Sequence, residues 1–308
     1  MIAPARVALI HDWLTGIRGG EYVLDAIAEL FPRADLFTLV SVPGRVSPIL
    51  TTLPRHTSAI QKVPGIEKRY RGFFPLMPWL IGRFDLTGYD LVISSSHCVA
   101  KGIRKVPGAV HISYVHAPMR YMWDRYDEYF GPGRAGLITR TAARLIRARM
   151  QEWDKSVSGE DRVDTLIANS QYISKQIKEC YGREARVIYP FADFKRFETP
   201  RKPGRNYLMV SAFAPNKRVD LAIQAFNQLK LPLIIVGGGQ EEAKLKKMAG
   251  PTIEFVGSVS NETIADLYSK CRAFLYPGIE DFGITAVESL SAGMPVIGLK
   301  AGGVPEIV

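Results

Sequence analysis

Cysteine is scarce in this 308-residue chain: Cys98, Cys180 and Cys271 stand far apart, with no Cys-x-x-Cys or Cys/His spacing. That excludes a disulfide framework, gives no sign of zinc, and suits a reduced, cytosolic protein. No apolar run approaches the roughly 18 residues of a membrane span. Met1 to Leu9 runs straight into an apolar strand pattern without a charged leader and long apolar stretch, so no signal peptide is expected. Low-complexity tracts and repeats with a period of about 20 to 50 residues are also missing, which excludes a solenoid. Acid is short only in the first half: residues 1–150 carry 20 Lys and Arg against 11 Asp and Glu, whereas residues 151–308 carry 20 against 19. The basic half implies an anionic partner (nucleic acid, lipid headgroups or a phosphorylated acceptor) or simply a solvated surface.

What is present is a globular composition, 47% hydrophobic and 23% charged, in a chain long enough for two domains. Short apolar runs alternate with helical patterns, which predicts α/β layers around parallel sheets. Strands are expected at Arg6 to Ile10, Leu36 to Val40, Leu91 to Ser94, Val110 to Tyr114, Thr165 to Ala168 and Val187 to Ile188. A second series follows at Tyr207 to Val210, Leu233 to Val236, Ile253 to Val256, Ala273 to Tyr276 and Val296 to Gly298. Pro190, Pro200, Pro203 and Gly204 interrupt the pattern between the series, so two Rossmann-like domains are expected, residues 1–190 and 191–308.

In such sheets ligands bind beyond the carboxyl ends of the strands. After the first strand, His11 to Glu21 contains Gly16 and the pair Gly19-Gly20 ahead of an apolar-periodic helix. Glycines at a helix start let backbone N–H groups approach a phosphate, although the spacing matches neither G-x-G-x-x-G nor a P-loop, and a plain βα turn is an equal reading. The most informative stretch, Tyr276 to Val296, reads as strand, loop, helix and next strand. Glu280 lies in the loop, Phe282-Gly283 makes a tight turn, and Glu288 sits about one turn inside a helix from Thr285 to Ala292. Free N–H groups at that helix start suit a diphosphate, while two carboxylates suit sugar hydroxyls; two ordinary acids near a helix N-terminus would look the same.

This stretch, continued by Gly302-Gly303-Val304-Pro305-Glu306, resembles the signature of glycosyltransferase family 4. Tyr114 to Arg120 resembles the family's His-containing loop, Ile188-Tyr189-Pro190 its interdomain linker, and Val210 to Asp220 the segment whose basic residues hold donor phosphates. His11 to Gly16 together with Ser94 to Gly102 looks like a bacterial polysaccharide or lipid-linked-oligosaccharide subgroup that includes GDP-mannose users. The resemblance implies a GT-B fold, two Rossmann-like domains facing across a cleft, and a retaining, metal-independent hexosyl transfer, mannose from GDP-mannose being favoured. No D-x-D motif in a suitable setting argues otherwise.

The resemblance implies roles residue by residue. Lys217 and Arg218 stabilise the departing diphosphate, Glu280 accepts donor-sugar hydroxyls, Glu288 the ribose, and His116 lies near the reacting carbon. Gly19, Gly20, Gly257, Ser258, Val259, Phe282, Gly283, Ile284 and Thr285 are expected around the donor, with Gly237 to Gly239 on the nucleotide side. Asp12, Lys101 and Arg120 are expected toward the acceptor, His97 there or in a turn capped by Ser95 or Ser96. No metal or other cofactor is expected. Ala212 departs from the family, which places an Arg there, and Arg218 is the candidate substitute.

On the acceptor side, Leu53 to Leu86 mixes cations with large apolar residues, and Leu137 to Trp153 sets Arg140, Arg144, Arg147 and Arg149 on an apolar helical pattern. Both suit peripheral contact with an anionic membrane at its cytoplasmic face, or else a packed helix with a solvated basic face. The same mixture fits a single-stranded nucleic acid groove, but nothing else supports nucleic acid. Family members continue beyond the position of Val308, so the second domain is expected to be incomplete, with an oligomer as one way of covering it. Two alternatives stay open: a nucleotide-sugar-binding scaffold without turnover, and a nucleotide-sugar epimerase on the same fold.

Overall fold

The computed structural model describes residues 5–131, 133, 136–192 and 194–308; the Met1 to Pro4 part of the N-terminal expectation lies outside them. The chain divides into two compact units, one running to Tyr189 and the other from Pro190 to Val308.

In the first unit the strands are β1 (Val7–His11), β2 (Asp35–Thr38), β3 (Arg55–Thr57), β4 (Leu91–Ser96), β5 (Val110–Val115), β6 (Thr165–Ala168) and β7 (Arg186–Val187). They form one parallel sheet in the order β3-β2-β1-β4-β5-β6-β7, with the order reversing at β1. Alternation along β1 explains the layering. Ala8 and Ile10 belong to a core with Phe37, Met77 and Ile81, whereas Val7 and Leu9 belong to another with Leu24, Leu36 and Leu50. Both faces of the sheet are thus covered, as an all-parallel sheet requires. Helices begin where serines can take a free N–H: Ser170 Oγ accepts from Ile173 N at the start of Gln171–Tyr181, which ends at Gly182 in the left-handed region.

The second unit contains β8 (Tyr207–Val210), β9 (Leu233–Val236), β10 (Ile253–Gly257), β11 (Phe274–Tyr276) and β12 (Val296–Gly298), all parallel, in the order β10-β9-β8-β11-β12. Again the faces split. Leu208, Ile234, Val236 and Phe274 enter one core, and Met209, Leu233, Ile235 and Leu275 the other.

Every expected strand is present, shifted by one or two residues at most at its ends. One strand escaped the reading. Arg55, His56 and Thr57 of β3 offer no apolar signal, because this edge strand is held mainly through backbone pairing to Leu36, Phe37 and Thr38.

Candidate functional site

In the first unit the register lays His11 beside Ser95 and Ser96 beside Val115, so the ends of β1, β4 and β5 deliver their polar side chains together. His11 Nδ1 lies 3.1 Å from Ser95 Oγ, which lies 2.8 Å from His116 Nε2. All three residues are buried. His11 Nε2 faces Glu21 Oε1 at 3.8 Å, while Glu21 Oε2 accepts from Arg18 N at 3.0 Å and so closes the start of the helix Gly19–Leu30. Gly19 and Gly20 are therefore the first two helical residues, a position that the phosphate-loop and plain βα-turn readings share. Burial, then the neighbouring His97 and His11, push the His116 imidazole down to about 3, so it is neutral at ordinary pH. Below this group, His111 donates Nδ1–H to Arg162 O at 2.9 Å and takes the Ser94 hydroxyl on Nε2; burial pushes it down to about 4.

Three expectations on this side are corrected. Asp12 is fully buried, and its carboxylate accepts the N–H groups of His97, Cys98, Val99 and Ala100 at 2.5 to 3.0 Å. It is the main cap of that turn, a role expected of Ser95 or Ser96; Ser95 lies within β4 and faces the histidines instead, while Ser96, the last residue of β4, adds one weaker contact, its Oγ accepting from Lys101 N at 3.4 Å. Burial would raise the Asp12 carboxyl, but His97, His11 and these N–H groups hold it below its ordinary value. His97 Nδ1 lies 3.0 Å from Asp12 Oδ2, so this histidine braces the same turn. Lys101, expected toward an acceptor, is 1% exposed and pairs with Asp154, whose other oxygen receives Trp123 Nε1–H and Tyr181 O–H. A buried ammonium must be paired, and it is. Arg120 is partly buried, and its carbonyl accepts from Arg125 N at 2.9 Å.

In the second unit the loops after β8, β9, β11 and β12 interlock through glycines. A Cβ on Gly237 would stand 1.9 Å from Ser211 O, on Gly278 2.5 Å from Asn216 O, and on Gly302 2.3 Å from Glu280 O. Gly303 N donates to Glu280 O at 2.8 Å. The Gly-Gly motif thus holds the Glu280 loop by backbone contact. Glu280, 8% exposed, forms an ion pair with Lys217 from the loop after β8. Phe282 is buried, Gly283 takes φ 112, and the helix Ile284–Ser291 starts from it, so Ile284 and Thr285 carry its first N–H groups. Glu288 pairs with Arg196 at 3.7 Å and Tyr268 Oη at 3.3 Å; burial raises its carboxyl, against the pull of Arg196. Gly257 closes β10 at φ 73 and accepts from Gly237 N, Ser258 is exposed, and Val259 packs on the core. Arg218 does not share the Lys217 pair: half-exposed and at φ 51, it reaches Asp220 at 3.2 Å.

Sequence reasoning missed Arg196 and Tyr268, whose partner Glu288 is remote along the chain, and did not place Ser95 between His11 and His116 or Glu21 beside His11. Of the surface expectations, Leu137, Ile138 and Leu145 are 76%, 87% and 75% exposed, with Arg144 and Arg149 also exposed. Arg147 turns inward to the carbonyls of Met122 and Trp123. Leu76 and Trp79 are exposed at 54% and 62%. Among the described residues no helix is long and apolar enough to cross a membrane.

Residues 17–196 match the family model described as Glycosyltransferase Family 4, and residues 191–308 the one described as Glycosyl transferases group 1. A GDP-mannose-dependent alpha-mannosyltransferase of Mycolicibacterium smegmatis is 37% identical over 280 residues, covering 87% of this chain and 66% of that protein. An O-antigen chain mannosyltransferase C of Escherichia coli is 30% identical over 159 residues, 46% of this chain and 43% of that one. The chain spans less than two thirds of the length of both relatives. Among solved structures, Anabaena HepE in complex with UDP and glucose superposes with a TM-score of 0.67 at 16% identity, over 99% of this chain and 83% of that one. The sucrose-phosphate synthase of Thermosynechococcus elongatus superposes with a TM-score of 0.65 at 17% identity, over 97% and 82%. The fold is GT-B: two parallel-sheet α/β domains.

Proposed function

We propose that this chain, which belongs to glycosyltransferase family 4, moves a hexose, with mannose from GDP-mannose favoured, onto a polysaccharide or lipid-linked oligosaccharide acceptor with retention of configuration and without a metal. The observation that carries the reading is the Lys217–Glu280 ion pair, held by glycine-packed loops just ahead of the helix start at Gly283. In this structure the two charges neutralise each other. A nucleoside-diphosphate sugar offers each a better partner: phosphate for Lys217 and the helix N–H groups, sugar hydroxyls for Glu280. Glu288, held by Arg196 and Tyr268, presents a carboxylate for the ribose. Charge grows on the diphosphate as the glycosidic bond to the donor breaks, so a cation already fixed at that position lowers the barrier. The mannosyltransferase relatives support the donor, and neighbours bound to UDP or UDP-sugar support nucleotide-sugar binding.

Peripheral attachment at the inner face of the cell membrane belongs to the same reading. Leu137, Ile138 and Leu145 beside Arg144 and Arg149 suit anionic headgroups over an apolar interface.

A thermal-shift panel of GDP- and UDP-sugars tests the donor: stabilisation by GDP-mannose with indifference to UDP-sugars supports it, and the reverse replaces GDP by UDP. Transfer that persists in EDTA, with product of the donor's anomeric configuration by NMR, supports the mechanism; loss in EDTA or inversion refutes it.

A further inference from the structure

The buried chain Glu21, His11, Ser95, His116 has an order of protons that its geometry restricts. Ser95 Oγ has one proton and two imidazole neighbours, His11 Nδ1 at 3.1 Å and His116 Nε2 at 2.8 Å. In one orientation His11 donates Nδ1–H to Ser95, and Ser95 donates to His116. His11 Nε2 would then turn a lone pair toward the Glu21 carboxylate 3.8 Å away, or carry a second proton. The lone pair is repelled. The second proton makes a buried imidazolium whose Nε2–H has no acceptor within hydrogen-bond range, and an unsatisfied charged donor costs more than a neutral one. In the other orientation His11 holds its single proton on Nε2, attracted by Glu21, and its Nδ1 accepts from the Ser95 hydroxyl. Ser95 in turn accepts Nε2–H from His116. This arrangement needs no new buried charge.

We infer that Glu21, His11 and Ser95 form a relay that fixes His116 in the Nε2–H tautomer, leaving its Nδ1 lone pair open to accept a sugar hydroxyl. Ser95, His11 and Glu21 are then positioning residues and His116 the contacting one, an inference that rests on the glycosyl-transfer reading above. Two features support it. No described residue takes His116 Nδ1, whereas Nε2, the backbone N–H and the carbonyl are all engaged, the last by Asn169. The relay is also anchored at its far end, since Glu21 is fixed by Arg18 N at 3.0 Å. Nearby polar groups are committed elsewhere: Asp12 and His97 to each other and the capped turn, the Asp25 carboxyl to the Ser47 hydroxyl, and the Tyr114 hydroxyl to Ile188 O.

NMR of ¹⁵N-histidine-labelled protein reads which ring nitrogen carries each proton. The expected result is a single Nε2–H tautomer for His116 in the wild type. Ser95→Ala should give a mixture, and Ser95→Thr, which keeps the hydroxyl, should restore the single form. If Ser95→Ala does not fold, Glu21→Gln serves: without the carboxylate charge the relay is free to reverse, and the Nδ1–H form of His116 should grow. In transfer assays Ser95→Ala should lower kcat/KM roughly tenfold, with rescue by Ser95→Thr. A rise confined to the donor KM assigns the hydroxyl to the donor, and one confined to the acceptor KM assigns it to the acceptor. A wild-type His116 protonated on Nδ1, or tautomers unmoved by both Ser95→Ala and Glu21→Gln, would overturn the relay. The expected tautomers in a protein that transfers no sugar would leave the relay standing and sink the transferase reading.

Discussion

The two units place polar groups at the same position, beyond the carboxyl ends of parallel strands, but hold them in opposite ways. The first unit buries imidazoles and hydroxyls in hydrogen-bonded chains, with Asp12 and Lys101 buried nearby as supports. The second holds partly exposed ion pairs, Lys217–Glu280 and Arg196–Glu288, on loops locked by glycine backbone. A hydrogen-bonded chain fixes orientation and proton location. An ion pair near solvent fixes position yet can exchange partners when a charged ligand arrives. One unit is built to orient, the other to exchange.

The comparison breaks most severely where its supports are removed. Asp154→Ala strands the buried Lys101 ammonium and should destabilise the first unit by about 3–5 kcal/mol in denaturant titrations. In the second unit the equivalent support is backbone, so Gly237→Ala, at φ 127 and with its Cβ forced onto Ser211 O, should cost at least about 3 kcal/mol. Gly16→Ala, which meets nothing within 4 Å, should change stability by less than about 0.5 kcal/mol. If Gly237→Ala were equally silent, glycine locking of these loops would be wrong.

Next in size is the exchangeable pair. Lys217→Met should reduce kcat by roughly 10²- to 10³-fold while leaving the fold intact by circular dichroism. Glu280→Gln should fall in the same direction with a weaker grip on the donor. Unchanged turnover in either variant would remove the pair from the chemistry.

The smallest effect separates the units by pH. Free histidine titrates near 6.5, whereas folded His111 does so at about 4 and His116 at about 3. The unfolded chain therefore binds more protons between those values, and stability falls as pH drops from about 7 toward 4. At pH 5 each histidine should cost roughly 2 kcal/mol. The loss should appear in the first unit's unfolding transition. His111→Gln should flatten its pH dependence by about half, and an unaltered slope would contradict the burial argument.

The fold was legible because apolar runs such as Leu233 to Val236 and Thr165 to Ala168 must be buried wherever they occur. Arg55 to Thr57 was not, since an edge strand needs backbone bonds and no apolar residue. Glu280, Lys217 and His116 were legible as members of local motifs at strand ends. For Arg218 the family pattern names the residue but not its direction, and here the guanidinium pairs with Asp220. Asp12 and Lys101 were misjudged because polarity in a sequence suggests solvent, whereas both charges are buried and satisfied by partners 53 to 88 residues away.

By itself the sequence determined two parallel-sheet series and the loops on which family 4 chemistry would lie, because periodicity and glycine-rich spacing are local constraints. Tertiary structure alone decided which of those polar residues support and which face outward. That choice rests on register and long-range partners, such as Ser95 between His11 and His116, and Glu280 against Lys217, which no local pattern contains.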